Sequence, residues 1–351
     1  MLFERSAWPR VKACGDGLTP TSVATLRDLG FAQDAAFGSA VPLPQTRIGG
    51  PRETSFVAPW PPNVPDGTTM RRIDFDAMLV RGAIAAGATF EERTDVVACD
   101  EARVRYRRLP GAALQARTFD AVVLAEGGTG RLAATCGLPP HDRTLVAYRG
   151  YVATPDDLEP SYQVHYARAC VPGYAWIFPI ESRVANVGAV LVERGDVRAR
   201  LRDWLARSAI VRAHLGRDPV LEGGRGGIIA IGRARRYAHR VFAVGDTAGV
   251  ADPLSAEGVS QAMATGRLVA RALRDGRGDI DHAGKVYEAT LRAFDINNRE
   301  ALRMRRLFGS LADPFVSLAV RRPRFAAHVV ASGYFLKRDA AWFAQTLGAL
   351  R

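Results

Sequence analysis

The stretch Val241-Phe242-Ala243-Val244-Gly245-Asp246, continuing through Asp252-Pro253-Leu254-Ser255-Ala256-Glu257-Gly258, constrains this fold more than any other part of the chain. Four apolar residues between Arg240 and Gly245 predict a short buried strand, and residues 261–272 predict a helix. Between them lies a loop of Gly, Asp, Pro and Ser. A strand, a turn and a helix N-terminus together present backbone N–H groups and the positive end of a helix dipole to an anion. Asp246, at the strand end, is placed to accept hydrogen bonds from a sugar hydroxyl. An ordinary strand-to-helix turn with a solvated Asp fits the same residues.

At 351 residues and 48% hydrophobic, the chain can bury a large core and is long enough for two domains. No apolar run approaches the ~18 residues of a membrane span. Met1-Leu2-Phe3-Glu4-Arg5 lacks the basic-then-apolar order of a signal peptide, so a cytoplasmic location is expected. Cys14, Cys99, Cys136 and Cys170 lie far apart and the six histidines are scattered, so neither a metal site nor a disulfide framework is expected. The net charge of +12 is carried mostly by arginine, without a basic stripe interleaved with aromatics, which argues against nucleic acid. A basic face leaves room for peripheral contact with anionic lipid at the inner face of a membrane.

Along the chain, Thr19 or Thr21 caps a predicted helix over 20–29, and Gly30 ends it. Residues 37–69, rich in Pro and Gly, read as strands and turns. After Arg71, the spacing of Phe75, Met78, Leu79 and Ala83 predicts a helix ended by Gly87. Short strands are expected over 94–98, 103–107 and 120–125. Gly128-x-Gly130-x-x-Ala133 formally matches a dinucleotide fingerprint. Only about seven residues separate Gly130 from the breaker Gly137-Leu138-Pro139-Pro140, however, whereas a parallel crossover needs at least ~10–12. Residues 141–231 alternate apolar and polar side chains, which predicts an antiparallel sheet with one helix over 197–215. Helices are expected over 283–308 and 315–350. The expected class is α/β (α+β). A Rossmann-like cofactor domain would take 1–36, 70–140 and 232–275, a substrate-binding sheet domain 37–69 and 141–231, and a helical region 276–351.

The Asp246 stretch resembles the second flavin-binding motif of FAD-dependent oxidoreductases with the p-hydroxybenzoate hydroxylase-like fold. Three further stretches narrow this: Pro9-Arg10-x-Lys12-x-Cys14-Gly15-Asp16-Gly17-Leu18-Thr19-Pro20, Arg72-x-x-Phe75-Asp76, and Pro172-Gly173-Tyr174-Ala175-Trp176-Ile177-Phe178-Pro179 with Asn186-Val187-Gly188. Together they resemble the geranylgeranyl reductase family, from residue 1 to about 275. The resemblance implies an FAD enzyme that reduces C=C bonds in isoprenoid chains of lipids, quinones or chlorophyll precursors, with NAD(P)H or a ferredoxin-type reductant as electron source. It implies that Gly245 and Asp246 contact the ribityl chain, that the loop carrying Pro253 and Gly258 borders the isoalloxazine ring, and that Arg10 and Arg72 lie near FAD. Glu126-Gly127 stands where the family carries Asp-Gly. Cys14 would lie near the flavin and supply a proton. Tyr174, Trp176 and Phe178, on one face of a strand, would line an apolar substrate pocket. Sheet core for these aromatics, and a small buried residue for Cys14, remain open readings.

Glu4 takes the place of the acidic residue that ends the second strand of a dinucleotide fold and binds a ribose. The glycine-rich phosphate loop that normally lies upstream does not precede it here. The chain as numbered is therefore expected to hold FAD poorly and to gain it from an upstream extension. A flavin monooxygenase acting on an aromatic or polyketide substrate is the alternative enzyme, and a non-catalytic remnant is the alternative outside enzymes. The oligomeric state is not legible.

Overall fold

The computed structural model describes residues 1–192 and 195–330. Its largest element is a seven-stranded sheet in the order Glu222–Arg233, His141–Ala153, Val184–Leu191, Tyr174–Glu181, Ser161–His165, Gln45–Gly49, Ser55–Pro59. Strands within 141–231 all pair antiparallel, as expected, and Gln45–Gly49 joins them by running parallel to Ser161–His165, so the sheet as a whole is mixed. That parallel pair joins the 37–69 segment to the sheet built by 141–231. Period-two alternation places Tyr174, Trp176 and Phe178 on one face and Ala175 and Ile177 on the other. The first set packs with Leu145, Tyr162, Val164 and residues of the C-terminal helices such as Met304 and Val316. The second is covered by Val197, Leu201, Trp204, Leu205 and Val211.

A second body carries the central motif. Val241–Ala243 pairs parallel with Val122–Leu124 and antiparallel with Tyr237–Ala238, and its three residues are fully buried. Leu2–Phe3 pairs parallel with Phe90–Glu91. Helix Pro20–Asp28 starts at Thr19, whose hydroxyl accepts from Ser22 N, and packs with helix Arg72–Ala85 through Val23, Leu26, Phe75 and Met78.

Several expectations are corrected. The single helix over 197–215 is two, Val197–Arg207 and Ala209–Leu215. Ser208 breaks it by taking extended backbone and capping the second helix, its Oγ accepting from Val211 N. The helices over 283–308 and 315–350 are replaced by one helix of 42 residues, Ile280–Arg321, followed by Pro323–Val329; residues 331–350 lie outside the described residues. Pro314 does not end that long helix: it lies on the exposed side, as does Ser310 one turn before it, while Ala312, Val316 and Ala319 are buried against the sheet and hold the helix in place. Strands Gln115–Thr118 and Glu222–Arg233 were not expected. The second begins Glu-Gly-Gly-Arg-Gly-Gly, which offers no apolar alternation and is held by its pairing to His141–Ala153. The fingerprint-like glycines lead into a helix of five residues, Arg131–Thr135, too short for a crossover.

Candidate functional site

The segment from Lys12 to Gly17 is held against the sheet by side chains of two strands, His141–Ala153 and Val184–Leu191. Arg149, buried in strand His141–Ala153, donates from Nε to Cys14 O (3.1 Å), from Nη2 to Lys12 O (3.4 Å) and from Nη1 to Gly223 O (3.1 Å). Asn186 donates from Nδ2 to Cys14 O (2.9 Å) and Asp16 Oδ2 (2.8 Å), and its Oδ1 accepts from Trp176 Nε1 (2.9 Å). Asp16 also accepts from Tyr151 OH (2.7 Å) and Arg72 N (3.0 Å). Burial raises the Asp16 pKa, against the bonds from Tyr151 and Asn186. The carboxylate thus acts as a post around which Tyr151, Asn186 and the start of helix Arg72–Ala85 are arranged.

Above this segment lies a cavity of about 610 Å3, a size typical of small-molecule and cofactor sites. One wall is aromatic: Tyr162, Tyr174, Trp176 and Phe178, with the Tyr162 and Phe178 rings 4.2 Å apart and Trp176 stacked on Phe178 at 6.2 Å. The other is polar, with Lys12, Arg72, Asp76, Asp246 and Glu257. Arg72 donates to Asp76 through Nε (3.0 Å) and Nη2 (2.8 Å) and lies beside the Cys14 thiol. Glu257 Oε1 accepts from Thr19 Oγ1 (2.9 Å) and Ser22 Oγ (3.2 Å), tying the loop before helix Val259–Asp275 to helix Pro20–Asp28. The Asp246 carboxylate accepts no hydrogen bond among the described residues. Its pKa is raised by burial, against the charges of Lys12 and Arg72, and the Lys12 pKa is lowered by burial and by Arg72.

No protein-family model matches the sequence. The menaquinone reductase of Mycolicibacterium smegmatis is 27% identical over 384 aligned residues, covering 98% of this chain and 88% of the relative. The digeranylgeranylglycerophospholipid reductase of Methanosphaerula palustris is 30% identical over 230 residues, 62% of this chain and 57% of the relative. Among solved structures, a geranylgeranyl bacteriochlorophyll reductase-like protein from Thermoplasma acidophilum superposes with a TM-score of 0.78 at 16% identity, covering 99% of this chain and 88% of that one. The relatives and the fold support a place for the chain among FAD-dependent oxidoreductases similar to the geranylgeranyl reductases. It is an enzyme of that class.

The cavity fits part of a flavin cofactor on its own chemistry. A polyol chain needs an acceptor with free lone pairs, and Asp246 supplies one beside two cations. Backbone must also approach closely, and at Gly258 a Cβ would stand 2.9 Å from Asp246 Oδ1, so a side chain there would displace the carboxylate. Cys14, Arg72, Glu126, Gly127, Gly245, Asp246, Gly258, Tyr174, Trp176 and Phe178 all line this one cavity. Glu4, Arg10 and Pro253 do not: Glu4 accepts from Arg10 Nε (2.8 Å) and Ser6 N (2.8 Å), and Arg10 reaches Asp76 Oδ2 (2.9 Å). Arg10 thus touches Asp76, a lining residue, and not the cavity itself. Glu126 lines the cavity, but its oxygens accept from Leu132 N (2.9 Å) and Ala133 N (2.8 Å), capping the short helix.

Sequence reasoning missed Lys12, Asp76, Arg149, Asn186 and Glu257 as site residues. Lys12, Asp76 and Asn186 stood inside motifs already singled out, and Glu257 in the central loop. Arg149 left no signal, because an arginine inside an alternating strand reads as solvent-facing. Among the described residues there is no cluster able to hold a metal, and no helix is long and apolar enough to cross a membrane.

Proposed function

We propose that this protein saturates C=C bonds in the isoprenoid chain of a lipid or quinone. The observation that carries this reading is that a run of packed aromatic side chains and a partner-free carboxylate flanked by cations line one and the same cavity. Relatives named as reductases of a menaquinone and of a digeranylgeranylglycerophospholipid support the substrate class. FAD in its reduced form supplies the hydride when bound, with NAD(P)H or a ferredoxin-type reductant as electron source.

The chain's own residues do the rest. Asp246 accepts hydrogen bonds from the cofactor's hydroxyls, while Gly127, Gly245 and Gly258 let backbone approach it. Tyr162, Tyr174, Trp176 and Phe178 hold an alkene chain through apolar area, since such a chain offers no polar handle, and they keep water away from the reacting carbons. Cys14 Sγ gives a proton to the carbon opposite the one that receives hydride. The thiolate so formed is stabilised by the Arg72 guanidinium beside it and regains a proton from solvent.

Anaerobic incubation of the FAD-loaded protein with dithionite and either a menaquinone or a geranylgeranyl glycerolipid tests the reading. Mass spectrometry should show substrates gaining pairs of hydrogens. Unchanged substrates, with oxygen-dependent NAD(P)H consumption and a hydroxylated product from an aromatic compound, would overturn it in favour of a monooxygenase.

A further inference from the structure

Arg305 stands in the long helix Ile280–Arg321, far in sequence from every motif, and is only 2% exposed. No carboxylate pairs with it among the described residues. It donates instead to backbone carbonyls: from Nε to Pro172 O (3.2 Å), and from Nη1 to Leu254 O (3.3 Å) and Pro253 O. Its guanidinium lies over the Tyr174 ring at 5.9 Å, and its Nη2 is buried without a partner. Burial pushes its pKa down, but an arginine keeps its proton in proteins. A whole positive charge is therefore buried directly behind the loop that leads into helix Val259–Asp275.

That loop is polarised by its tethers. Arg305 takes the carbonyls of Pro253 and Leu254, and Tyr174 OH takes that of Ser255. Asp252 Oδ1 accepts from Leu254 N (2.7 Å) and Ser255 N (2.9 Å). The N–H groups of Ala256, Gly258 and Val259 have no acceptor among the described residues, and these three residues line the cavity at the positive end of a 17-residue helix. Carbonyls are thus drawn back and donors left forward, on the side where negative charge is favoured. The Arg305 charge adds to the same field, with no carboxylate paired to it among the described residues.

We infer that Arg305 is a positioning residue for the flavin. It holds the Pro253 and Leu254 carbonyls back from the cavity, and its buried charge favours the anionic reduced form of the bound cofactor over the oxidised form. The inference rests on flavin occupying this cavity and not on which substrate is reduced. A wild type that takes up FAD but leaves isoprenoid chains unchanged would sink the proposed function and leave this inference standing.

The test is a set of four variants read by FAD titration and by the midpoint potential of the bound flavin. Arg305→Met removes both charge and donors; FAD should bind about tenfold more weakly or worse, and the potential should shift to more negative values. Arg305→Lys keeps the charge and loses the fork, so the potential should stay near wild type while binding weakens. Tyr174→Phe removes only the Ser255 tether and should weaken binding without moving the potential. Arg305→Gln, which retains donors for the loop carbonyls, serves as the neutral variant if Arg305→Met fails to fold, and its potential should also fall. Neutral variants that share the wild-type potential, or a lysine variant whose potential falls with theirs, would overturn the inference. A wild type that binds no FAD would overturn it as well.

Discussion

Asp246 shows how one side chain ties the central motif to chemistry. Its strand end delivers it to the cavity, burial raises its pKa, and Lys12 and Arg72 draw it part of the way back. Because its folded pKa lies above the unfolded value, the ionised group weakens the fold as pH rises through that window. A ligand that hydrogen-bonds the carboxylate offsets the effect. Asp246→Asn should therefore raise the FAD dissociation constant by about 10- to 150-fold, the equivalent of losing a charge-assisted bond of about 1.5–3 kcal/mol. Wild-type affinity should decline on acidification, starting above the ordinary aspartate range near about 4, while the Asn variant should show a flatter profile. Titrating FAD against both proteins from neutral to acid pH checks this, and matching dissociation constants at neutral pH would refute it.

Among the elements, the strand pair Tyr174–Glu181 and Val184–Leu191 does two jobs, since its aromatic face is both core and cavity wall. Gly188, the partner of Trp176 across the ladder, makes this possible: a Cβ there would stand 2.3 Å from Trp176 Cζ2 and 2.6 Å from Tyr148 O. Trp176 cannot retreat without breaking its bond to Asn186, and Asn186 holds the Cys14–Asp16 segment. Gly188→Ala should cost about 1–3 kcal/mol by overpacking and disturb the Cys14 segment as well. Chemical denaturation measures the first effect, and the reactivity of Cys14 toward a thiol reagent reports the second. An Ala variant as stable as wild type, with unchanged thiol reactivity, would show that the wall yields without consequence.

For the molecule as a whole, acid stability should be set in part by His165. It ends strand Ser161–His165 beneath helix Val197–Arg207, its ring 5.7 Å from that of Trp204, and both ring nitrogens are buried without hydrogen-bond partners. Burial, and the neighbouring His214 and Arg47, lower its pKa to about 3. The unfolded chain holds that proton up to about pH 6.5. Between these values the unfolded state binds more protons, so stability rises with pH. The contribution is complete above about pH 6.5 and is lost as pH falls toward 3, amounting to about 2 kcal/mol by pH 5. Urea midpoints measured at pH 7 and pH 5 should converge in His165→Phe relative to wild type; an equal drop in both proteins would assign the acid sensitivity to other groups.

The sequence by itself determined the local elements and the chemical types at the site. Thr19 as a helix cap, the Val241–Asp246 strand end and the period-two aromatics all follow from short-range sterics and hydrogen bonding, and these survive in any environment that buries the apolar face. Tertiary structure decided whatever depended on long-range burial. Pro314 stays inside a helix because Ala312 and Val316 beside it are buried against the sheet, and the glycine-rich strand Glu222–Arg233 exists because His141–Ala153 offers it a ladder. Arg149 and Arg305 look like surface residues in a chain with a net charge of +12. Burial turns both into donors that shape the cavity, because a guanidinium removed from water must find acceptors and here finds backbone carbonyls.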